Sequence, residues 1–375
     1  MSERPLASII VNNYNYARFL RDAIDSALAQ TYQSTEVIVV DDGSTDESPR
    51  IIASYGDCVI PVLKENGGQE SALNAGFDVS QGKFVCFLDS DDALFPMALE
   101  KVAPLFRDRD IVKVHWPLRV ADERGWLTGR LIPDSALPHG DLQAIVIEQG
   151  PNAYVTPPTS GNAWARTFLE RVFPIPGGEL RCGAADALLS MLAPLFGCIG
   201  RIEEPLGMYR IHGKNHYWGK MLENLPGALR AREQHCRALS RVLRDRGMDI
   251  DPNVWLRDSW LRKLQRAVGD IHGLIPSGDT FILVDDDQWG VPHVLAGRRR
   301  IPFLEREGRY WGPPPDDGTA IRELERLKRA GAGFIAIAWP SFWWLVHYAE
   351  FHRYLRSTYR CITENECLVV FELQP

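Results

Sequence analysis

Over roughly the first ninety residues, four apolar runs of strand-like composition each end in polar residues, and each is followed by a segment that reads as helix. This alternation restricts the fold more than any other feature of the chain. Ala7 to Val11 ends in NNYN, and ARFLRDAIDSALAQ then places Leu20, Ile24, Ala27 and Leu28 at helical spacing. EVIVV ends in DDGS, with Ser44 or Thr45 available to cap a helix running toward Tyr55. VIPVLK ends in ENGG, a turn into the helical QESALNAGFDV, and KFVCFL ends in DSDD, with Pro96 where a first helical residue tolerates proline. Strands and helices that alternate in this way build a doubly wound, mostly parallel sheet. In such sheets ligands bind beyond the carboxyl ends of the strands, where all four polar loops are expected.

The rest of the chain sets limits on partners. A length of 375 residues predicts more than one domain. A net charge of -7 argues against nucleic acid or an acidic membrane as a general partner. Seven cysteines without a C-x-x-C pair suggest reduced thiols and a cytoplasmic setting, and the apolar run near the start is too short for a signal-peptide core. Ala330 to Tyr348 lacks charged residues but is divided by Pro340, so no transmembrane segment is expected.

The stretches NNYN, QTYQSTEVIVVDDGSTDES, ENGGQESALNAG and GKFVCFLDSDD, in this order and spacing, together with YRIHGKN at Tyr209 to Asn215, resemble the family 2 glycosyltransferases. The resemblance covers about the first 215 residues and implies an α/β GT-A nucleotide-diphospho-sugar transferase fold with a Rossmann-like, mostly parallel sheet. It further implies inverting transfer from a nucleotide-diphosphate sugar, a UDP-sugar foremost, to a hydroxyl of a glycan or lipid-linked acceptor. That activity would belong to surface-polysaccharide synthesis, in the cytoplasm or at the inner face of the membrane. No Q-x-x-R-W motif is present, so a non-processive enzyme is expected. The alternative is a non-catalytic nucleotide-sugar-binding or assembly module.

Asp89 and Asp91 stand two residues apart at a strand end, a pair of oxygen ligands suited to Mn2+ or Mg2+ with positions left for phosphate. The resemblance makes them the D-x-D motif, with Asp91 the more direct ligand. Asp92 is read as the cap of the helix near Pro96. The resemblance places Asp42 at the nucleotide base with help from Asn12 and Tyr14, although Asp41-Asp42-Gly43-Ser44 also suits a plain turn. Asn12 stands where the family usually has proline. Asp186 matches the catalytic base, with Ala185 in place of a second acid; a helix cap is the plainer reading and Glu179 is the reserve base. His212 would add a metal or phosphate contact, with Arg210 and Lys214 as neighbouring cations, or simply pack.

Three domains are expected: residues 1-215 for transfer, 216-275 as a helical connector, and 276-375 as a small α/β domain. In the last, Asp285 to Asp287 read as a turn, Arg298 to Arg300 as a solvated loop, and Trp339, Trp343, Trp344 and Tyr348 as helical core.

Overall fold

The computed structural model describes residues 4–175, 185–213, 215, 224–289, 295 and 297–374. The chain divides into two compact units, Met1–Asn215 with Ala231–Trp255, and His216–Arg230 with Leu256–Pro375. The helical stretch expected as a connector is thus shared between them.

The strands of the first unit are β1 (Ala7–Asn13), β2 (Thr35–Asp42), β3 (Ile60–Lys64), β4 (Phe84–Asp89), β5 (Ala93–Leu94), β6 (Ile111–His115), β7 (Leu118–Ala121), β8 (Leu127–Ile132), β9 (Asn162–Ala165), β10 (Cys198–Arg201) and β11 (Gly207–Arg210). Seven of them form one sheet in the order β10-β6-β9-β4-β1-β2-β3. All neighbours in it are parallel except β9, which runs antiparallel to both β4 and β6. A smaller sheet, β5-β11-β7-β8, lies beside the exit of β4.

Helices α1 (Ala17–Leu28), α2 (Ser48–Ala53) and α3 (Gln69–Val79) connect the first four strands. The face of α1 bearing Leu20, Ala23, Ile24 and Ala27 is buried in one core with Ile9, Val11, Val37 and Val39. Each of the larger of these side chains contributes about 1.5–3 kcal/mol by leaving water. On the opposite face, α3 lies so close to β1 that a Cβ on Gly76 would meet Ile10 Cγ2 at 2.5 Å. Only glycine permits that approach.

The second unit holds a five-stranded sheet, built from β12 (Thr280–Val284), β13 (Arg299–Pro302), β16 (Phe334–Ala338), β17 (Arg360–Glu364) and β18 (Leu368–Glu372) in the order β13-β12-β16-β18-β17. Strands β13, β12 and β16 are parallel, and the other two pairings are antiparallel. Between β13 and β16 comes a short hairpin, β14 (Glu305–Arg306) and β15 (Arg309–Tyr310).

Three local expectations are corrected. Arg299 and Arg300 lie in β13, and the Arg298 guanidinium donates to the Ile275 and His272 carbonyls, so this is a paired edge and not a solvated loop. The aromatic helix is broken into a 3-10 turn at Trp339–Ser341 and helices at Trp344–His347 and Ala349–Thr358, because Pro340 sits at its start and Tyr348 leaves helical geometry. Ser44 caps no helix. Its hydroxyl accepts instead from the Asn15 N–H (2.8 Å) and Asn13 Nδ2 (3.2 Å). Among the described residues, no helix is long and apolar enough to cross a membrane.

Candidate active site

The parallel register brings the polar strand ends side by side. Asn12 lies opposite Asp89 and Asn13 opposite Asp41. Asn12 Nδ2 donates to Asp89 Oδ1 (2.9 Å), and Asn13 Nδ2 donates to Asp41 Oδ1 (2.8 Å). Asn15, in left-handed backbone geometry, accepts from the Thr45 N–H through Oδ1 (2.7 Å). The first two loops are therefore laced together by short polar side chains. Tyr14 remains 46% exposed at their rim.

Asp42 is buried and its carboxylate is filled from the loop after β3. It accepts from Lys64 Nζ (2.6 Å), the Gly67 N–H (3.0 Å), the Gly68 N–H (2.7 Å) and Asn66 Nδ2 (3.2 Å). Gly43, at φ +74°, makes the close passage possible, since a Cβ there would lie 2.6 Å from the Asn66 nitrogen. In this arrangement Asp42 holds the glycine-rich loop, and its acceptor sites are occupied before any base edge arrives.

The exit of β4 gathers three carboxylates and their donors. Asp89 Oδ1 also accepts from Gln69 Nε2 (3.3 Å). Burial, followed by the negative charge of Asp91, pushes the Asp89 carboxyl up to about 7, while the Asn12 hydrogen bond opposes the shift. Asp186 lies near enough for its charge to add to that rise. Asp91 Oδ2 meets His212 Nε2 at 2.9 Å and Asn215 Nδ2 at 3.4 Å. His212 is packed between Tyr16 and Phe19, at ring distances of 5.4 and 4.9 Å. Burial and the charges of Asp91, Asp89 and Asp92 raise the Tyr16 phenol to about 12.

Asp92 corrects another expectation. It caps no helix; the helix at Ala98–Val102 has no side-chain cap. Fully buried, Asp92 accepts from the Ser160 hydroxyl (2.7 Å) and the Arg210 N–H (3.0 Å), joining the exit of β4 to the end of β11. Burial and its two acidic neighbours hold its carboxyl well above the usual range. Arg210 spans the same junction, donating through Nε to the Asp91 carbonyl (2.9 Å), through Nη1 to the Glu123 carbonyl (3.3 Å) and through Nη2 to Asp22 (2.7 Å). Tyr16, Ser160 and the structural side of Arg210 were not singled out from sequence, because their partners lie far along the chain.

Asp186 occupies the first turn of the helix Ala185–Leu192. Its carboxyl is raised by burial, against the opposing effects of the helix N–H groups and the Lys113 ammonium. Glu179 and Lys214 lie outside the described residues. The structure thus brings Asn12 against Asp89, His212 against Asp91 and Asp186 near Asp89, while Asp42 holds the glycine-rich loop.

Among the described residues, no group of three His, Cys, Asp or Glu side chains converges on a cation position. What the exit of β4 does offer is the pair Asp89 and Asp91, with His212 against the second. Burial and then the negative charge of Asp91 raise the Asp89 carboxyl, and a divalent cation beside the pair would relieve that charge. A site with one or two carboxylates that relies on substrate phosphate for further ligands also suits Mg2+ or Mn2+ chemistry.

Residues 8–161 match the family described as Glycosyl transferase family 2. An uncharacterized glycosyltransferase of Nostoc sp. is 38% identical over 214 residues, covering 56% of this chain and 66% of its own. One from Rickettsia prowazekii is 52% identical over 96 residues, 26% of this chain and 30% of that protein. The chain therefore spans less than two-thirds of the length of these relatives. The crystal structure of S. aureus TarS 1-349 is similar at a TM-score of 0.49 with 17% identity, covering 72% of this chain and 75% of that one. Residues 8–161 of the first unit thus match glycosyl transferase family 2, and the seven-stranded sheet is that of the GT-A fold.

Proposed function

We propose that the first unit transfers a sugar from a nucleotide-diphosphate donor to an acceptor hydroxyl, with inversion and one sugar per encounter. The observation that carries this reading is the Asp89 and Asp91 pair at the exit of β4, with His212 on Asp91 and Asp186 close enough to influence Asp89, inside a family 2 domain. A UDP-sugar is the first donor to test, and a glycan or lipid-linked acceptor suits a family whose members act on sugars.

Asp91 and Asp89 would hold Mn2+ or Mg2+ together with phosphate oxygens of the donor, and His212 would hold Asp91 in place. Once bound, the cation supplies charge neutralisation for the departing diphosphate. Asn12 and Gln69 orient Asp89, so its carboxylate faces the crevice at a set angle. Asn12 and Tyr14 flank the nucleotide, and Asp42 acts indirectly by fixing the glycine-rich loop as one wall. Asp186 takes the proton of the acceptor hydroxyl as that oxygen attacks the anomeric carbon. The bond from that carbon to the phosphate oxygen breaks, and its electron pair leaves with the nucleoside diphosphate. The raised pKa of Asp186 makes its carboxylate a stronger proton acceptor than an exposed aspartate.

The test is release of nucleoside diphosphate from a panel of UDP-, GDP- and dTDP-sugars, with Mn2+, with Mg2+ and with chelator. Cation-dependent release from at least one donor is expected, lost in Asp91→Asn. A protein that neither binds nor turns over any donor with either cation would overturn the reading.

A further inference from the structure

The loops leaving the three parallel strands of the second unit meet at one carboxylate. Asp286, just after β12, accepts from the Tyr310 hydroxyl on β15 (3.0 Å), from Trp343 Nε1 (2.9 Å) and from Trp344 Nε1 (3.1 Å), the last two beyond β16. Strand order places β12 between β13 and β16, so the chain leaves β12 to one side and later returns on the other. In open α/β sheets a ligand crevice forms at such an edge.

Tyr310 also lines an open cleft of about 1020 Å³ beside the hairpin. Three carboxylates, from Glu305, Glu307 and Glu323, face three guanidiniums, from Arg306, Arg309 and Arg326, so the formal charges of the wall cancel. Arg326 is fixed in advance by Glu305 and Glu323, each at 2.7 Å. The apolar element is Trp311, 63% exposed, with Arg306 Cζ 4.5 Å above its ring. A polyanion would meet the carboxylates, a polycation the guanidiniums, and an apolar ligand would strip water from all six charges. A neutral sugar ring avoids each penalty. Its C–H face covers the indole, and its hydroxyls donate to carboxylates and accept from guanidiniums.

We propose that the second unit carries its own binding site for a neutral saccharide, seated on Trp311 in the cleft between the β14–β15 hairpin and Glu323 and Arg326 of the helix Asp317–Arg329. This goes beyond the transferase reading and does not depend on it. The full chain is applied to an array of neutral oligosaccharides printed beside anionic polysaccharides, and the best-retained neutral oligosaccharide is titrated by calorimetry. Trp311→Ala, checked by circular dichroism, is expected to weaken that binding about tenfold or more, and Arg309→Ala to weaken it less. Asp91→Asn is expected to leave it in place, which separates this site from the donor crevice. Retention of no neutral oligosaccharide, retention confined to anionic polymers, or neutral binding unaffected by Trp311→Ala would each overturn the proposal.

Discussion

Lys113 is a fully buried ammonium on β6 that donates to Ser190 Oγ (2.9 Å), one helical turn beyond Asp186, and lies 5.1 Å from the Trp164 ring centre and 5.3 Å from that of Tyr154. Burial pushes its pKa down to about 7, and Asp186 opposes the shift. The unfolded chain keeps lysine near 10.4. Between those values the unfolded state binds more protons, so this residue makes stability rise with pH from about 7 toward 10, with its full penalty below pH 7. Lys113→Met should therefore stabilise the protein most at or below pH 7, by about 1–4 kcal/mol, and progressively less at pH 9. Urea denaturation at pH 6.5 and 9 checks this, and an equal effect at both would contradict it. Asp186→Asn should leave donor binding intact and reduce transfer about 100-fold or more, as for loss of a positioned general base. Calorimetry with donor and a single-turnover assay separate the two effects; transfer within a few-fold of the parent would move the base elsewhere. At this scale the sequence made visible the residues at strand ends, since Asn12, Asp89 and Asp91 follow apolar runs. It did not reveal that Asp92 is tied to Arg210, 118 positions away, because a carboxylate before a helix looks like a cap until its distant donors are known.

The loop after β3 depends on one carboxylate. Glycines at 67 and 68 give it little backbone preference of its own, and Asp42 supplies the acceptors that define its path. Asp42→Ala removes the acceptor of those N–H groups and leaves Lys64 with only the Glu65 carbonyl. Because Lys64 retains 22% exposure, the expected loss is toward the lower end for a broken buried pair, about 3 kcal/mol. Hydrogen exchange should show faster exchange at Gly67 and Gly68 than in β1, and protection unchanged at those two amides would refute the clamp. Such elements differed in how far sequence revealed them. β1, β2 and β4 were legible because strands buried on both faces read as continuous apolar runs. β9 was not, since its four residues, NAWA, carry no periodic signal and are held by β4 on one side and β6 on the other. β13 was hidden for a similar reason: RRIP has the composition of a loop, and its pairing with β12 makes it a strand.

The two units divide the chain unevenly, and the division decides where it can be cut. The contacts that assemble the acidic crevice, from Asn12 through Asn215, all belong to the first unit, which also includes Ala231–Trp255. That later segment is packed into it: Trp255 Nε1 donates to the Ile147 carbonyl (3.0 Å), and its ring lies so close to Gly150 that a Cβ there would meet Trp255 Cγ at 2.3 Å. Cys236, Leu239 and Leu243 are completely buried in the same segment. A fragment ending at Trp255 should therefore fold and bind nucleoside diphosphate with Mn2+ about as well as the full chain. A fragment ending at Arg230 lacks these buried side chains and should be destabilised by several kcal/mol, at about 2–5 kcal/mol for each large apolar residue lost from a core. Leu225, Ala228 and Leu229 pack with Leu261, Leu264 and Phe281 of the second unit and become exposed in both fragments, so light scattering must accompany the measurement. If the Trp255 fragment is monomeric and folded by circular dichroism but has lost cation-dependent nucleotide binding, part of the donor site belongs to the second unit. If the Arg230 fragment melts with the same midpoint as the Trp255 fragment, the segment Ala231–Trp255 is not part of the first unit's core.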